Sequence, residues 1–351
     1  MEHFNFPLEA VILFLTVISV SVYLDLFAHK NSTEITLSGA IRWSVFWVGL
    51  ALFFYGYLWL RFDQSWADLY LAGYALEKAL SIDNLMVFMA IFSSFGIKGS
   101  LQHRILYYGI LGALIFRAVF VLIGTGLFLA SPWVGFFFAA FVLWSAVKML
   151  QNSGAEHQEI EDYSDHWSVR LTRRFIPVYP KLYGRRFFVR HIEISPNLSE
   201  SGLTLARTGV RYATPAFLCL IAIETSDIAF AFDSVPAVIA VTQEPLLVYA
   251  AMIFAILGLR SLYFVLAALN QHLAHLEKAV IALLFFIGIK MAFQSWNHTV
   301  GDSGISISPQ TSLLIVLGTL GIGILASILF PGKKPAAESP AKDNAPPHNP
   351  A

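Results

Sequence analysis

Long apolar runs separated by short polar stretches dominate the pattern along this chain. A helix that crosses the hydrocarbon core of a bilayer needs about 20 mostly apolar residues. The runs are continuous, whereas the strands of a membrane β-barrel would alternate apolar and polar positions. The pattern therefore predicts an all-α polytopic membrane protein with about nine transmembrane helices. The predicted spans are approximately 7–27, 43–60, 67–95, 104–130, 132–151, 213–242, 246–269, 276–296 and 312–331.

Composition favours a membrane protein and excludes several other classes. Of 351 residues, 57% are hydrophobic and 13% are charged, against about 25% charged residues in a soluble domain. The one cysteine, Cys219, excludes a disulfide-stapled secreted domain. A net charge of zero gives no electrostatic reason to expect nucleic acid as a partner. Neither a phosphate-binding glycine loop nor a His-Glu-x-x-His motif occurs, so we expect no enzymatic activity and no permanently bound cofactor.

The distribution of basic residues predicts the orientation of the chain. Loops on the cytoplasmic side of a membrane are enriched in Lys and Arg. With the N-terminus outside, 16 such residues fall in cytoplasmic segments and only Arg61 falls in an external one. We therefore expect the N-terminus outside and the C-terminus in the cytoplasm.

Two segments are predicted to lie outside the membrane. Segment 152–212 begins with acidic residues and continues as a basic, aromatic stretch, which favours a cytoplasmic loop or small subdomain. It could bind anionic lipid or a cytoplasmic partner. The tail 333–351 is rich in Pro, Ala and Lys and is predicted to be disordered. The rest divides into two N-terminal helices (1–65), a first three-helix repeat (66–151), a second, inverted repeat (213–297) and a last helix (298–332).

The repeat rests on charges that recur in order in two groups of three spans. Spans three and six cross the membrane in opposite directions in the predicted topology, so the two units are inverted. Inverted repeats are typical of secondary transporters, although a duplicated scaffold without transport remains an alternative. The aligned charges are Glu77 and Asp83 with Asp227 and Asp233, both six apart, then Arg117 with Arg260, and Lys148 with Lys290.

Ionisable residues inside apolar spans need pairing, hydration or a function, because each costs roughly 2.5–3.5 kcal/mol at the bilayer centre. One interpretation is structural pairing of Asp83 and Asp233 with Arg117 and Arg260. That interpretation leaves three acids without a cation. The intramembrane charges are Glu77, Asp83, Arg117, Glu224, Asp227, Asp233 and Arg260.

The alternative interpretation is a cation site. Carboxylates with nearby amide and hydroxyl oxygens suit a hard divalent cation such as Mn²⁺, Mg²⁺ or Ca²⁺. Glu224 and Asp227 share a helix face, but residues six apart, such as Glu77 and Asp83, do not. Convergence of the acids requires a broken or tilted helix, and Pro236 is predicted to supply a break in the second unit. The carboxylates could also carry protons, in which case an ion gradient would drive transport.

Several motifs resemble those of the TerC (tellurium-resistance protein C) family of integral membrane proteins. They are EKALSIDNLMVF at 77–88, RRFFVR at 185–190, RYATP at 211–215, ETSDIAFAFDSVPAVIAVTQEP at 224–245 and FAILGLRSLYFVLA at 254–267. The resemblance covers roughly residues 8–331, and the two leading helices resemble the Alx-type manganese exporter branch. It implies a bacterial-type inner (plasma) membrane protein that exports Mn²⁺ against protons, with links to metal loading of secreted enzymes and to tellurite tolerance.

The resemblance also assigns residues. It implies a metal site formed by Glu77, Asp83, Asn84, Glu224, Asp227, Asp233 and Ser234. We expect alternating access in which the ion passes by Asp83 and Asp233, while Arg117 and Arg260 act as counter-ions when the ion is absent. The alternative function is a membrane scaffold or metal-delivery partner for secreted or stress-response proteins, docking through 152–212 without transport of its own.

Overall fold

The computed structural model describes residues 8–27, 36–131, 133–153, 163–190, 211–269, 275–301 and 306–330. The predicted disordered tail lies outside these residues. The described elements are α1 (Leu8–Phe27), α2 (Leu37–Arg61), α3 (Gln64–Ser94), α4 (Ser100–Ala130), α5 (Trp133–Ser153), a 3₁₀ turn (Tyr163–Asp165), α6 (Trp167–Phe175), β1 (Phe188–Arg190), β2 (Arg211–Ala213), α7 (Pro215–Thr242), α8 (Pro245–Ile256), α9 (Leu259–Leu269), α10 (Leu276–Thr299) and α11 (Pro309–Leu329).

Helices occupy each of the nine apolar stretches, and the protein is mostly helical, as expected of an all-α membrane protein. Within the described ranges, α2, α4, α5, α7 and α11 are long and apolar enough to cross a membrane. The helices α8 and α9 together would form a sixth crossing, bent by 48° between them. Nine crossings therefore remain a prediction.

The predicted break at Pro236 is wrong, because α7 continues through this residue. Pro236 is buried, and packed neighbours allow a membrane helix to tolerate proline. The break lies instead in the next span, between α8 and α9. Gly258 adopts a φ of +80° there, a left-handed conformation that glycine reaches without the steric penalty of a side chain.

The packing brings the two predicted three-helix units together. Helix α3 packs on α7 and α8, α4 packs on the same two helices, and α5 packs along α10. In the predicted repeat, α3 corresponds to α7 and α4 corresponds to α8. The α4–α7 contact in one unit order therefore corresponds to the α8–α3 contact in the other. The inverted repeat is thus compatible with the packing and remains a prediction.

A small unit with two short strands lies at one end of α7. Strands β1 and β2 pair antiparallel, with Val189 opposite Tyr212, and these two side chains form an apolar cluster with Tyr179. The Thr214 hydroxyl donates to the Arg186 carbonyl at 2.7 Å, directly before α7 begins. This contact joins the strand pair to the helix that carries the second set of acids.

Candidate ion-binding site

A buried ion-pair cluster joins α3, α4 and α7. Arg117 of α4 contacts the Glu77 carboxylate of α3 through Nη1. Its Nη2 atom lies 3.3 Å from Asp227 Oδ1 of α7. All three side chains are at most 5% exposed. Burial of such charges is costly, and removing one partner would leave an uncompensated charge.

Asn84 completes the polar surroundings of Arg117. With its carboxamide oriented to satisfy both ends, its oxygen accepts from Arg117 Nη2 at 3.3 Å and its nitrogen donates to the Leu80 carbonyl at 3.1 Å. Residues seven apart fall on nearly the same face of a helix. One face of α3 therefore presents both Glu77 and Asn84 to Arg117.

Glu224 lies beside this cluster, one turn before Asp227 on α7, and the two carboxylates interact electrostatically. Its carboxylate packs directly on Gly112 of α4, where a Cβ atom would overlap it. Gly112 therefore makes room for an acid next to the ion pairs. The sequence pattern gave no sign of this role, because nothing in an apolar run distinguishes such a glycine.

Asp83 and Asp233 have different surroundings. Asp83 lies near Glu277 of α10. Asp233 accepts a hydrogen bond from Ser145 of α5 and lies near Lys148. Because α3 is continuous, Asp83 points about 120° away from Glu77. The structure thus pairs Arg117 with Glu77 and Asp227, rather than with the Asp83 and Asp233 considered from the sequence.

Several buried oxygens have no hydrogen-bond partner among the described residues. Those of the predicted site include Glu77 Oε2, Asp83 Oδ2, Glu224 Oε2, Asp227 Oδ2 and Ser234 Oγ. Among all the residues that the structure describes, no three His, Cys, Asp or Glu side chains are close enough together to hold a metal ion. Of the predicted site, the structure brings Glu77, Asn84 and Asp227 around Arg117, with Glu224 adjacent.

Lys78 is a polar residue of this region that the sequence analysis missed. Its Nζ atom donates to the carbonyls of Ala255 at 3.0 Å and Leu257 at 3.4 Å. These carbonyls lie at the break between α8 and α9. The predicted counter-ion Arg260 is buried in the first turn of α9, two residues beyond Gly258. Lys78 thus ties the broken span to α3 directly beside Glu77.

Comparisons with known proteins agree with these features. The chain is 50% identical over 341 residues to a tellurium resistance protein TerC from Serratia marcescens, covering 96% of this chain and 98% of the relative. An Alcaligenes TerC protein is 48% identical over 342 residues, with the same coverage. A protein named as a candidate membrane-bound redox modulator, Alx, from Escherichia coli is 34% identical over 317 residues, covering 88% of this chain and 90% of the relative. No solved structure matches.

The family profile described as the integral membrane protein TerC family matches residues 62–334. This range includes α3 to α11 and so every residue of the ion-pair cluster. The Serratia marcescens relative matches 96% of this chain, so the similarity extends to the two leading helices. The chain therefore belongs to the TerC family of integral membrane proteins.

Proposed function

We propose that this protein is a secondary transporter that exports a divalent metal ion, manganese, by alternating access with protons as the coupling ion. The observation that carries the proposal is the placement of Arg117 between Glu77 and Asp227. With both carboxylates ionised, these three side chains carry one net negative charge inside a membrane protein. Such a group favours a cation or a proton.

Arg117 would act as a built-in substitute for the transported ion. While it contacts the two carboxylates, it reduces the cost of their burial and allows the carrier to reorient without cargo. A divalent cation would compete with it for Glu77, Asp227 and the carbonyl of Asn84. Carboxylate and amide oxygens suit Mn²⁺, and the buried oxygens without partners have lone pairs to offer.

The remaining acids would serve the route and the coupling. Asp83 and Asp233 lie outside the Arg117 cluster and would hold the ion before and after it. Glu224, whose carboxylate is adjacent to that of Asp227, would exchange protons as the ion leaves. In this proposal the protein needs no permanently bound cofactor and catalyses no covalent reaction. The tellurium resistance named for the relatives would follow from altered metal balance.

The proposal includes a location and an orientation. We place the chain in the inner (plasma) membrane of a bacterium, with the N-terminus outside and the C-terminus in the cytoplasm. The excess of basic residues in the alternate loops supports this orientation. Export then means movement of metal away from the side on which 152–212 lies.

The test is metal flux in liposomes that contain the purified protein. Mn²⁺ movement would be measured with and without a pH gradient for wild type, Asp227→Asn, Asp83→Asn and Asp233→Asn. Asp68→Asn is the matched control, because Asp68 is also a buried acid of α3 but contacts Tyr55 outside the cluster. We expect flux only for wild type and the control. Flux that persists in all three site variants would contradict the proposal.

A scaffold or metal-delivery role is the second candidate, and one feature favours it. Three arginines, Arg186, Arg190 and Arg211, line a cavity of about 380 Å³ at the strand pair. Such a basic cleft could hold an acidic segment of a partner. Charge reversal of these arginines should then remove tellurite tolerance in cells, while well-folded wild-type protein moves no metal in liposomes.

A further inference from the structure

Helix α6 is fixed against the end of the helical bundle by one of its faces. Ser168 and Val169 are buried, at 4% and 0% exposure, and Val169 belongs to the apolar cluster at this end of the bundle. The helix packs on α7. Just before it, the Tyr163 N–H donates to Ser94 Oγ in the last turn of α3. These contacts therefore hold α6 at the end of the bundle where α3 ends and α7 begins.

A second face of α6 is apolar but exposed. Trp167, Leu171 and Phe175 are 56%, 48% and 76% exposed. Their spacing of four residues places them in one stripe along the helix. An apolar stripe of this kind costs free energy in water, because large apolar side chains gain by leaving it.

The third face of α6 is basic. Arg170, Arg173 and Arg174 are all exposed. At about 100° per residue, the arginines lie about 40–140° from Val169 around the helix axis. The apolar stripe lies about 160–240° from Val169. The helix thus presents separate sectors to the bundle, to an apolar phase and to a polar or anionic phase.

We propose that α6 lies in the membrane interface, with Trp167, Leu171 and Phe175 inserted at the boundary between headgroups and acyl chains and its arginines on anionic lipid phosphates. A helix with an aromatic and aliphatic face beside an Arg-rich face is typical of interfacial anchors. Each arginine near an anionic surface strengthens such binding by about fivefold. The anchor holds the start of α7, and with it the acids that α7 carries, at a fixed depth.

Spin-label accessibility in full-length protein tests this placement. Leu171→Cys would be labelled with a nitroxide in a Cys219→Ala background, since Cys219 is the only native cysteine. Arg170→Cys is the matched control on the basic face. Both positions are exposed, so neither change should disturb the fold, and thermal melting would verify this. The samples are nanodiscs of phosphatidylcholine with phosphatidylglycerol, and nanodiscs of phosphatidylcholine alone.

The readout compares collisions of the nitroxide with oxygen, which concentrates in lipid, and with a neutral water-soluble nickel chelate. We expect position 171 to favour oxygen and position 170 to favour the nickel chelate. Removal of the anionic lipid should move position 171 several-fold towards the nickel chelate. Equal access of the chelate to both positions in anionic nanodiscs would overturn the proposal and leave the stripe to a soluble partner. If the accessibility of the label at position 171 is the same in nanodiscs of phosphatidylcholine alone, the proposed role of anionic lipid is wrong.

Discussion

The ammonium group of Lys78 donates a hydrogen bond to the Ala255 carbonyl oxygen at 3.0 Å. The last carbonyls of a helix lack partners within the helix, and a cation at that end is favourable. Lys78 therefore supplies α8 with a C-terminal partner at the point where the span breaks. Because Glu77 is the adjacent residue, α3 supports both the break and the Arg117 cluster.

Replacing Lys78 with Met should lower the stability of the protein. The change keeps most of the apolar stem but leaves buried carbonyls without a donor, at a cost of about 1–3 kcal/mol. Thermal unfolding of the purified protein measures the effect. Lys98→Met is the control, because Lys98 is exposed in the turn before α4. Equal melting temperatures of the two variants would show that Lys78 does not support the break.

Gly258→Ala should be more destabilising than the same change at Gly96. Both glycines have left-handed backbones, with φ of +80° and +62°, which cost roughly 1–2 kcal/mol for a residue with a side chain. A Cβ atom at Gly258 would also overlap the buried ring of Trp47, whereas one at Gly96 meets no atom within 4 Å. Thermal unfolding of the pair separates the backbone cost from the clash. A drop as large for Gly96→Ala would rule out the clash as the cause.

Gly112→Ala tests the close packing of Glu224 on α4. The added methyl group overlaps the Glu224 carboxylate, so the flexible end of this side chain must move away from α4, at little cost in stability. Gly126 lies on the same helix, and a Cβ atom there meets nothing within 4 Å. We expect both variants to retain stability, Gly126→Ala to retain metal flux, and Gly112→Ala to reduce metal flux because Glu224 is displaced. If the two behave alike in flux assays, the position of Glu224 is not critical.

Arg117→Gln should be among the most destabilising single changes in the chain. It leaves Glu77 and Asp227 buried without their cation, which costs about 3–5 kcal/mol. Arg61→Gln is the comparison, because the Arg61–Glu9 pair is exposed and such pairs contribute at most about 1 kcal/mol. Melting temperatures of both variants, and of Arg117→Gln combined with Glu77→Gln, measure this difference. The second change should restore part of the stability; no recovery would argue against a direct ion pair.

The helices and the polar residues of the site could be predicted because each contrasts with its surroundings. An apolar run of about 20 residues has few alternatives to a helix in a membrane. A carboxylate such as Asp227 is conspicuous within such a run because of its insertion cost. The partners could not be predicted in the same way. That Arg117 meets Glu77 rather than Asp83 depends on the rotation of α3 against α4.

The location of the break shows a second limit. Pro236 is the strongest local signal against a helix, yet α7 continues through it. Gly258 is a weaker signal, since isolated glycines are common in membrane helices. The break at Gly258 is supported by contacts with Lys78 of α3 and Trp47 of α2. Neither contact is visible from the local sequence.

The pairing of β1 with β2 brings two distant points of the chain together directly before α7 begins. Phe188 lies opposite Ala213 and Arg190 lies opposite Arg211, so the chain leaves and returns at one point. Doubling the length of a closed loop costs only about 0.6 kcal/mol. A short epitope placed between 190 and 211 should therefore leave the helices undisturbed. Its exposure to antibody in intact cells, or only in permeabilised ones, would reveal which side of the membrane this face occupies.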